Sequence, residues 1–159
     1  MDLLLVVGVG PVSAALQPMA EVLGWECRVV DDLEPALAEL PAASAVVVTS
    51  HHEGVDAPVL AAALGTGSVT YVGAMGSRRT QQRRRDWLAA NDVPEALQQR
   101  IHGPAGLDIG ADGPAEIALS ILAELVAVAR GRDSAGSLKD SAGPIHPELG
   151  PGEAFCPAG

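Results

Sequence analysis

A short, wholly apolar run near the start of the chain constrains the fold more than any other feature. Leu3–Val7 consists only of Leu and Val and is followed directly by a glycine-rich turn and a helical pattern. A strand without a polar face must be buried on both sides, which is typical of a central strand in a parallel sheet covered by helices. The run therefore predicts a parallel α/β protein rather than a β-sandwich.

Further apolar runs follow, each separated from the next by a helical pattern. They predict strands at 27–31, 44–49 and 68–72, a short strand beginning the segment 100–111, and helices that include 12–23, 34–40, 57–64 and 114–130. From these elements we predict an α/β, Rossmann-like three-layer fold with a parallel sheet of strand order 3-2-1-4-5. In that order the first and fourth strands are neighbours at the topological switch point, where ligands bind.

The chain divides by composition into a domain and a tail. Its 159 residues are enough for one domain with a sizeable core. We assign residues 1–132 to a Rossmann-like domain that binds a nucleotide or cofactor. Residues 133–159 are rich in Gly, Ser and Pro and predict a flexible C-terminal tail, in which His146 and Cys156 are the only groups with potential chemistry.

The first glycine turn has the pattern G-x-G-x-x-S, from Gly8 to Ser13. Gly8 and Gly10 permit a tight turn and the close approach of a diphosphate, Ser13 is small enough for helix-to-strand packing, and Pro11 suits a first helical turn. Asp31 ends the second strand, 21 residues after Gly10, where an acid can accept hydrogen bonds from a ribose. The pattern predicts a nucleotide site. The alternative is an ordinary glycine turn and helix start, with Asp31 as a solvated acid.

A second glycine turn follows the fourth strand and opens a helix crowded with arginine. Five of the ten basic residues lie between Arg78 and Arg85. Bare amides, a helix N-terminus and guanidinium groups suit a phosphate, so we predict ligand contacts here. The candidate residues are Gly73, Gly76, Ser77, Arg78 and Arg79. The three later arginines, at 83–85, are interpreted as a solvated basic face.

Two loops carry candidate acid–base groups. His51 and His52, with Glu53 and Asp56 nearby, follow the third strand, but adjacent histidines diverge and no further His or Cys stands at ligand spacing. We interpret them as surface histidines near the cleft and predict no metal site. In the loop 100–111 the polar groups are His102 and Asp108, with a buried histidine satisfied by backbone as the alternative for His102. His51, His102 and Asp108 are thus the candidate catalytic residues.

The charge balance and the apolar segments restrict the partners and the location of the protein. A net charge of −10 argues against nucleic acid and anionic membranes as partners. Two cysteines are too few for a disulfide framework, and no run approaches the roughly 20 apolar residues of a membrane span. We expect a cytoplasmic protein. The predicted helix 114–130 is apolar on nearly every face, which favours a homo-oligomer.

Three motifs resemble the XdhC/CoxI family of accessory proteins, which help to mature molybdenum enzymes such as xanthine dehydrogenase. They are YVGAMGSRR at 71–79, HGPAGLDIGADGPAEIALSILAEL at 102–125 and GPIHP at 143–147. The resemblance implies a Rossmann domain that is the C-terminal half of the family, a molybdenum cofactor (molybdopterin) or NAD(P) as ligand, a chaperone-like role, and a molybdenum hydroxylase apoenzyme as partner. In the family a cysteine-bearing N-terminal domain precedes this Rossmann domain. The resemblance therefore implies either that a separate protein supplies that part or that the chain has kept only nucleotide binding.

The chain departs from the family pattern at two turns. Pro11 stands where the family usually has a histidine, and the third strand ends in Thr49-Ser50-His51-His52 where the family resembles T-H-D. Two other functions stay open on the residues alone. One is an NAD(P)-dependent oxidoreductase, with Asp31 favouring NAD, and the other is a non-catalytic nucleotide-sensing adaptor that docks a partner through helix 114–130.

Overall fold

A computed structural model describes residues 2–132, 135–142 and 145. Strands and helices alternate along most of residues 2–132. The strands are β1 (Leu3–Val7), β2 (Glu26–Val30), β3 (Ala45–Val48), β4 (Tyr71–Ala74) and β5 (Ile101–His102). The helices are α1 (Pro11–Val22), α2 (Leu33–Glu39), α3 (Glu53–Gly65), α4 (Arg78–Ala90), α5 (Glu95–Gln98) and α6 (Pro114–Ala129). Two short 3-10 turns lie at Leu40–Ala42 and Leu138–Asp140.

The strands form one parallel sheet with helices on both faces. One face packs against α1 and α6 through side chains such as Leu4, Val6 and Val47. The opposite face, which includes Leu5 and Val46, packs against α2 and α3. These two apolar layers confirm the Rossmann-like three-layer fold, with its core of Ala, Val, Leu and Ile.

The predicted strand order 3-2-1-4-5 is wrong, because β3 lies between β1 and β4 and the sheet runs β2-β1-β3-β4-β5. All four residues of β3 are buried, whereas β2 exposes Glu26 and Arg28. A strand with two charged side chains is suited to a sheet edge, and a wholly apolar strand is suited to its interior. The switch point therefore lies between β1 and β3, and the first and fourth strands are not neighbours.

The predicted tail begins soon after α6, which ends at Ala129. Within it, Leu138–Asp140 forms a 3-10 turn, and an Arg132 guanidinium nitrogen donates to the Ile145 carbonyl oxygen across 3.1 Å. His146 and Cys156 lie outside the described residues. The division into a domain and a flexible tail stays a prediction.

Across residues 2–132 and the short described pieces beyond them, no helix has the length and apolar character needed to cross a membrane.

Candidate functional site

The turns that follow the strands meet along one edge of the sheet. Because all five strands are parallel, their carboxyl ends point the same way, and this carboxyl edge is where open α/β sheets bind ligands. The glycine turn after β1 and the glycine turn after β4 are separated by the loop after β3, which begins at Thr49. The two turns therefore line one edge without facing each other directly across a crevice.

Gly8 is required by the packing of the protein itself. Its φ is +125°, and a Cβ at this position would lie 2.4 Å from the backbone nitrogen of Ser50. The Thr49 hydroxyl donates to the Gly8 carbonyl oxygen across 3.0 Å. Gly8 thus allows the first turn to lie directly against the β3 loop, which explains the glycine through protein packing as well as through any ligand.

Gly10 and Ser13 are joined by two hydrogen bonds at the start of α1. The Gly10 amide donates to Ser13 Oγ, and Ser13 Oγ donates to the Gly10 carbonyl oxygen, both at 2.9 Å. Pro11 is the first residue of α1 and is exposed. A Cβ on Gly10 would meet no atom within 4 Å. The first-turn amides of Val12 and Ser13 have no acceptor within the helix, as at the amino end of any α-helix, and both residues are buried.

Asp31 reaches the first turn from the neighbouring strand. Its Oδ1 accepts a hydrogen bond from the Val9 amide across 3.1 Å, and the side chain is exposed. Oδ2 makes no hydrogen bond within the part of the chain that the structure describes. One carboxylate oxygen therefore holds the turn, while the other can accept a hydrogen bond from a ligand hydroxyl.

The second turn divides into a buried and an exposed part. Gly73 lies inside β4, where the Tyr71 ring occupies the space that a Cβ would need, 2.7 Å from its position. Gly76, with φ +136°, is in the turn itself. Ser77 begins α4 as its cap, since its Oγ accepts from the Thr80 amide at 3.2 Å. Of the predicted contacts, Gly73 is thus in the sheet interior and Gly76 and Ser77 are at the carboxyl edge.

The arginines of α4 differ sharply in environment. Arg78 and Arg79 are exposed in the first turn of the helix, as a ligand contact would require. Arg85 is also exposed and donates to Gln82 Oε1 at 2.9 Å. Arg83 is half-buried and pairs with Glu53 at 2.7 Å.

The interpretation of Arg84 as part of a solvated face is wrong, because its side chain is only 2% exposed. Its Nη2 lies 2.9 Å from Asp56 Oδ2 and donates to the Ser50 carbonyl oxygen at 2.9 Å. Its Nη1 donates to the Met75 carbonyl oxygen at 2.6 Å. Arg84 therefore ties the loop after β3 to the turn after β4, and so fixes the relative position of two segments of the carboxyl edge.

His51 and His52 lie exposed just before α3. The His52 amide donates to Ser50 Oγ across 3.0 Å, but neither imidazole makes a hydrogen bond or ion pair with any other described residue. Asp56, which follows them in sequence, is buried against Arg84 instead. No group of three His, Cys, Asp or Glu side chains suited to a metal occurs among the residues that the structure describes.

His102 belongs to a polar cluster with Tyr71 and Glu124. The His102 and Tyr71 rings are stacked, with centroids 4.6 Å apart and an interplanar angle of 21°. Glu124 Oε1 accepts from the Tyr71 hydroxyl at 2.6 Å and from the Gly106 amide at 3.1 Å, and lies 3.4 Å from His102 Nδ1. Gly73 makes the stack possible, since it pairs with His102 in the sheet and leaves room for the Tyr71 ring.

The cluster keeps Glu124 ionised and Tyr71 protonated. Burial opposes the ionisation of Glu124, but the contacts from His102, Tyr71 and the Gly106 amide outweigh it and hold the pKa of this carboxyl below its usual value. Burial first, and then the Glu124 carboxylate, raise the pKa of Tyr71 well above its ordinary range. Asp108 is exposed and makes no contact of this kind with the described residues.

Sequence reasoning missed Glu124, Tyr71 and the buried pair of Asp56 and Arg84. A signal existed for Glu124, because it is the one charged residue between Ile117 and the end of α6 at Ala129. An acid on an otherwise apolar helix face needs a partner when it is buried. The partners of Asp56 gave no comparable signal, since five arginines were available on α4.

Comparisons with known proteins agree with this architecture. The chain matches the family model of the XdhC Rossmann domain over residues 4–125. It is 30% identical over 146 residues to the uncharacterized protein YqeB of Escherichia coli K12, which corresponds to 79% of this chain and 27% of the relative. It is also similar to a solved structure described as a xanthine dehydrogenase from Bacillus halodurans, with 26% identity and a TM-score of 0.62.

That structural similarity covers 86% of this chain and 45% of the solved one. The chain thus spans about a quarter of the E. coli relative and less than half of the B. halodurans protein. The family match includes β1, the two glycine turns and most of α6, so it extends over the whole sheet. This chain belongs to the XdhC Rossmann-domain family.

Proposed function

We propose that this domain binds a nucleotide or the molybdenum cofactor at the carboxyl edge of its sheet and acts as an accessory module in the maturation of a xanthine-dehydrogenase-type molybdenum hydroxylase. Membership of the XdhC family supports the accessory role, and so does the similarity to a solved protein described as a xanthine dehydrogenase. The partner would be the apoenzyme of that hydroxylase.

The proposal depends on the unobstructed space beside Gly10. The amino end of α1 has no acidic residue in its first turn, and the space beside Gly10 is free of protein atoms. A helix N-terminus attracts phosphate through its free amides and its dipole. Asp31 stands beside the same turn with one oxygen available. A phosphate at α1 and a hydroxyl-bearing sugar at Asp31 therefore fit together.

The residues present fit the organic part of either ligand. The amides of Val12 and Ser13 would hold a phosphate, and Asp31 would hold a ribose or another diol. The molybdenum cofactor supplies its own sulfur ligands to its metal, so the protein would need to bind only the phosphate and the pterin.

The second turn would contact a more distant part of the ligand. Neighbouring strands are about 4.8 Å apart, so the ends of β1 and β4, with β3 between them, are separated by roughly 10 Å. A dinucleotide is long enough to span that distance. We infer that Ser77, Arg78 and Arg79 would meet its second phosphate or its distal end, since both arginine side chains are exposed there.

An NAD(P)-dependent oxidoreductase is the second candidate. The position of Asp31 beside the first turn favours it, because an acid there selects the free 2′-hydroxyl of NAD over the phosphate of NADP. Reduction of NAD with a panel of aldehydes, purines and alcohols tests this function. Turnover of one of them would favour the enzyme over the accessory module.

Gly10→Ala tests the proposed site with little effect on the fold. The φ of Gly10 is 174°, which any residue adopts, and the new methyl group would meet only open space. Thermal-shift measurements with CTP, CDP, NAD, NADP and molybdopterin should show stabilisation of the wild type by at least one of them and loss of that shift in Gly10→Ala. Gly65→Ala, at the end of α3 on the opposite edge, is the matched control. An unchanged shift in Gly10→Ala would place the ligand elsewhere.

A further inference from the structure

We propose that His102 and Glu124 form an oriented proton-transfer pair, in which the imidazole Nε2 accepts a proton from a hydroxyl or water oxygen at the end of β5 and Glu124 is the positioning residue. The nature of the ligand rests on the proposed function, since the hydroxyl would belong to a phosphate-anchored nucleotide or pterin. The orientation of the imidazole depends only on contacts within the chain.

The imidazole is held from three sides. Its backbone pairs with Gly73 in the sheet, its ring stacks on Tyr71, and its Nδ1 lies 3.4 Å from Glu124 Oε1. This distance is longer than an ordinary hydrogen bond and within the range of an ion pair. The titratable groups in contact with His102 are Tyr71 from β4 and Glu124 from α6.

The charge state of Glu124 decides the tautomer of His102. An ionised carboxylate can only accept hydrogen bonds, so its place beside Nδ1 favours the neutral imidazole with its hydrogen on Nδ1. The lone pair is then on Nε2, which has no hydrogen-bond partner among the described residues. The side chain of His102 is 33% exposed, whereas that of Glu124 is 16% exposed. The imidazole is therefore the more exposed member of the pair, and its Nε2 is not occupied by another described side chain.

His102 also lies next to the second glycine turn. The following residue, Gly103, is so close to Gln81 that a Cβ on Gly103 would lie 2.7 Å from Gln81 Oε1. The side-chain Nε2 of Gln81 donates to the carbonyl oxygen of Ala74, the last residue of β4, across 2.8 Å. The end of β5 therefore lies beside the end of β4, from which the turn to Ser77 begins.

The proton-transfer step is simple to balance. The O–H bond of the ligand hydroxyl or water breaks, the proton goes to Nε2, and the electron pair remains on oxygen. The imidazolium that forms is stabilised by the negative charge of Glu124, and the step is reversed when Nε2 returns the proton to that oxygen. The transfer involves no oxidation or reduction.

Acylation by diethyl pyrocarbonate measures this arrangement without any ligand. The reagent modifies an unprotonated imidazole nitrogen, and peptide mass spectrometry gives the rate at each histidine. His51 and His52 are exposed internal controls that have no carboxylate partner in the described chain. Relative to them, the rate at His102, compared on the alkaline plateau of the pH–rate curve where protonation no longer limits it, should fall by about fivefold in Glu124→Gln, because a charged acceptor binds the Nδ1 hydrogen more strongly than a neutral one. An equal rate in both proteins would overturn the proposal.

If circular dichroism shows that Glu124→Gln does not fold, a second variant, Tyr71→Phe, provides the test. It removes a competing donor from Glu124 and leaves the carboxylate, so the rate at His102 should be maintained or raised. A rate that drops in Tyr71→Phe would show that packing, and not the carboxylate, controls His102.

Ligand protection separates this inference from the proposed function. CTP or NAD that binds at the carboxyl edge should slow acylation of His102 in the wild type. Protection without any effect of Glu124→Gln would support the binding site and overturn the pair. An effect of Glu124→Gln without protection by any tested nucleotide would support the oriented pair and contradict nucleotide binding beside it.

Discussion

Asp56 and Arg84 form an ion pair that is almost completely buried, with Oδ2 and Nη2 2.9 Å apart and side-chain exposures of 1% and 2%. The other oxygen of Asp56, Oδ1, has no hydrogen-bond partner within the described chain. Arg84 meanwhile holds the carbonyl oxygens of Ser50 and Met75. The pair thus supports the carboxyl edge from beneath, and removing one partner would leave the other charge buried.

Asp56→Ala should lower the free energy of unfolding by about 3–5 kcal/mol, since it leaves the Arg84 guanidinium charged and unpaired. Urea denaturation monitored by circular dichroism measures this. Asp86→Ala is the control, because Asp86 is an exposed acid of α4, and we expect a change within about 0.5 kcal/mol there. Equal effects of the two substitutions would mean that the pair does not stabilise the fold.

Gly8→Ala should destabilise the protein by about 3 kcal/mol. The new Cβ would lie 2.4 Å from the Ser50 nitrogen, which is backbone and cannot rotate away, and φ is +125°. Gly10→Ala, two residues later, should change stability by no more than about 0.5 kcal/mol. Chemical denaturation of the two variants side by side checks the contrast, which a tolerant Gly8→Ala would contradict.

The stability should depend on Glu124 at acidic pH. The pKa of Glu124 is lower in the folded protein than its ordinary value of 4.5, so the folded state binds its proton less readily than the unfolded state. This contribution is present above about pH 4.5 and is lost as the pH falls through the folded pKa. Unfolding free energies from pH 3 to 7 should therefore fall less steeply at acidic pH in Glu124→Gln than in the wild type. Parallel curves would exclude this contribution.

Cys27 should be inert in the folded protein. Burial, aided by the charge of Glu21, raises the pKa of its thiol to about 11. Iodoacetamide at pH 8 should label it only after unfolding, as peptide mass spectrometry can show. The unfolded thiol ionises near pH 9, so stability should fall as the pH rises between 9 and 11, and Cys27→Ala should weaken that fall. Rapid labelling of the native thiol would contradict the burial.

The predicted homo-oligomer can be tested on an apolar groove between α1 and α6. Its side chains include Val22, Leu119 and Val126, which are 88%, 54% and 37% exposed. If copies associate through this groove, Leu119→Glu should shift the protein towards the monomer in sedimentation velocity. Leu138→Glu is the control, because Leu138 is also exposed but lies in the 3-10 turn. A wild-type monomer at high concentration would exclude the prediction.

The three-layer fold and the positions of β1 and β3 could be predicted because these two strands are apolar along their whole length. The fourth strand was predicted at 68–72 but lies at Tyr71–Ala74, so Gly73 is inside it. The order of the strands was harder to predict, because the pattern of apolar residues indicates which strands are buried but not which strands are adjacent in the sheet. The charged residues Glu26 and Arg28 held the missing information, because they mark β2 as an edge strand. Weighing that charge against the wholly apolar β3 would have favoured the observed order.

The candidate site could be predicted only where its residues lie close together along the chain or on adjacent strands. The approach of Asp31 to the first turn follows from the spacing along two adjacent strands. The cluster around Glu124 depends instead on residues 53 positions apart in sequence, as the Tyr71 hydroxyl bond shows. Arg84 and its neighbours on α4 read alike in sequence, and only tertiary packing distinguishes the buried one.

The outer strands of the sheet have a consequence for solubility. Edge strands present unpaired backbone groups to which a strand of another molecule can add, and Val-rich sequences are prone to such addition. Here one edge is β2, whose Arg28 pairs with Glu26 and Glu39 and keeps charge along the open side. The other edge, β5, offers only two residues. The charged β2 and the short β5 thereby oppose strand addition to a sheet whose interior strands β1 and β3 are mostly Val and Leu.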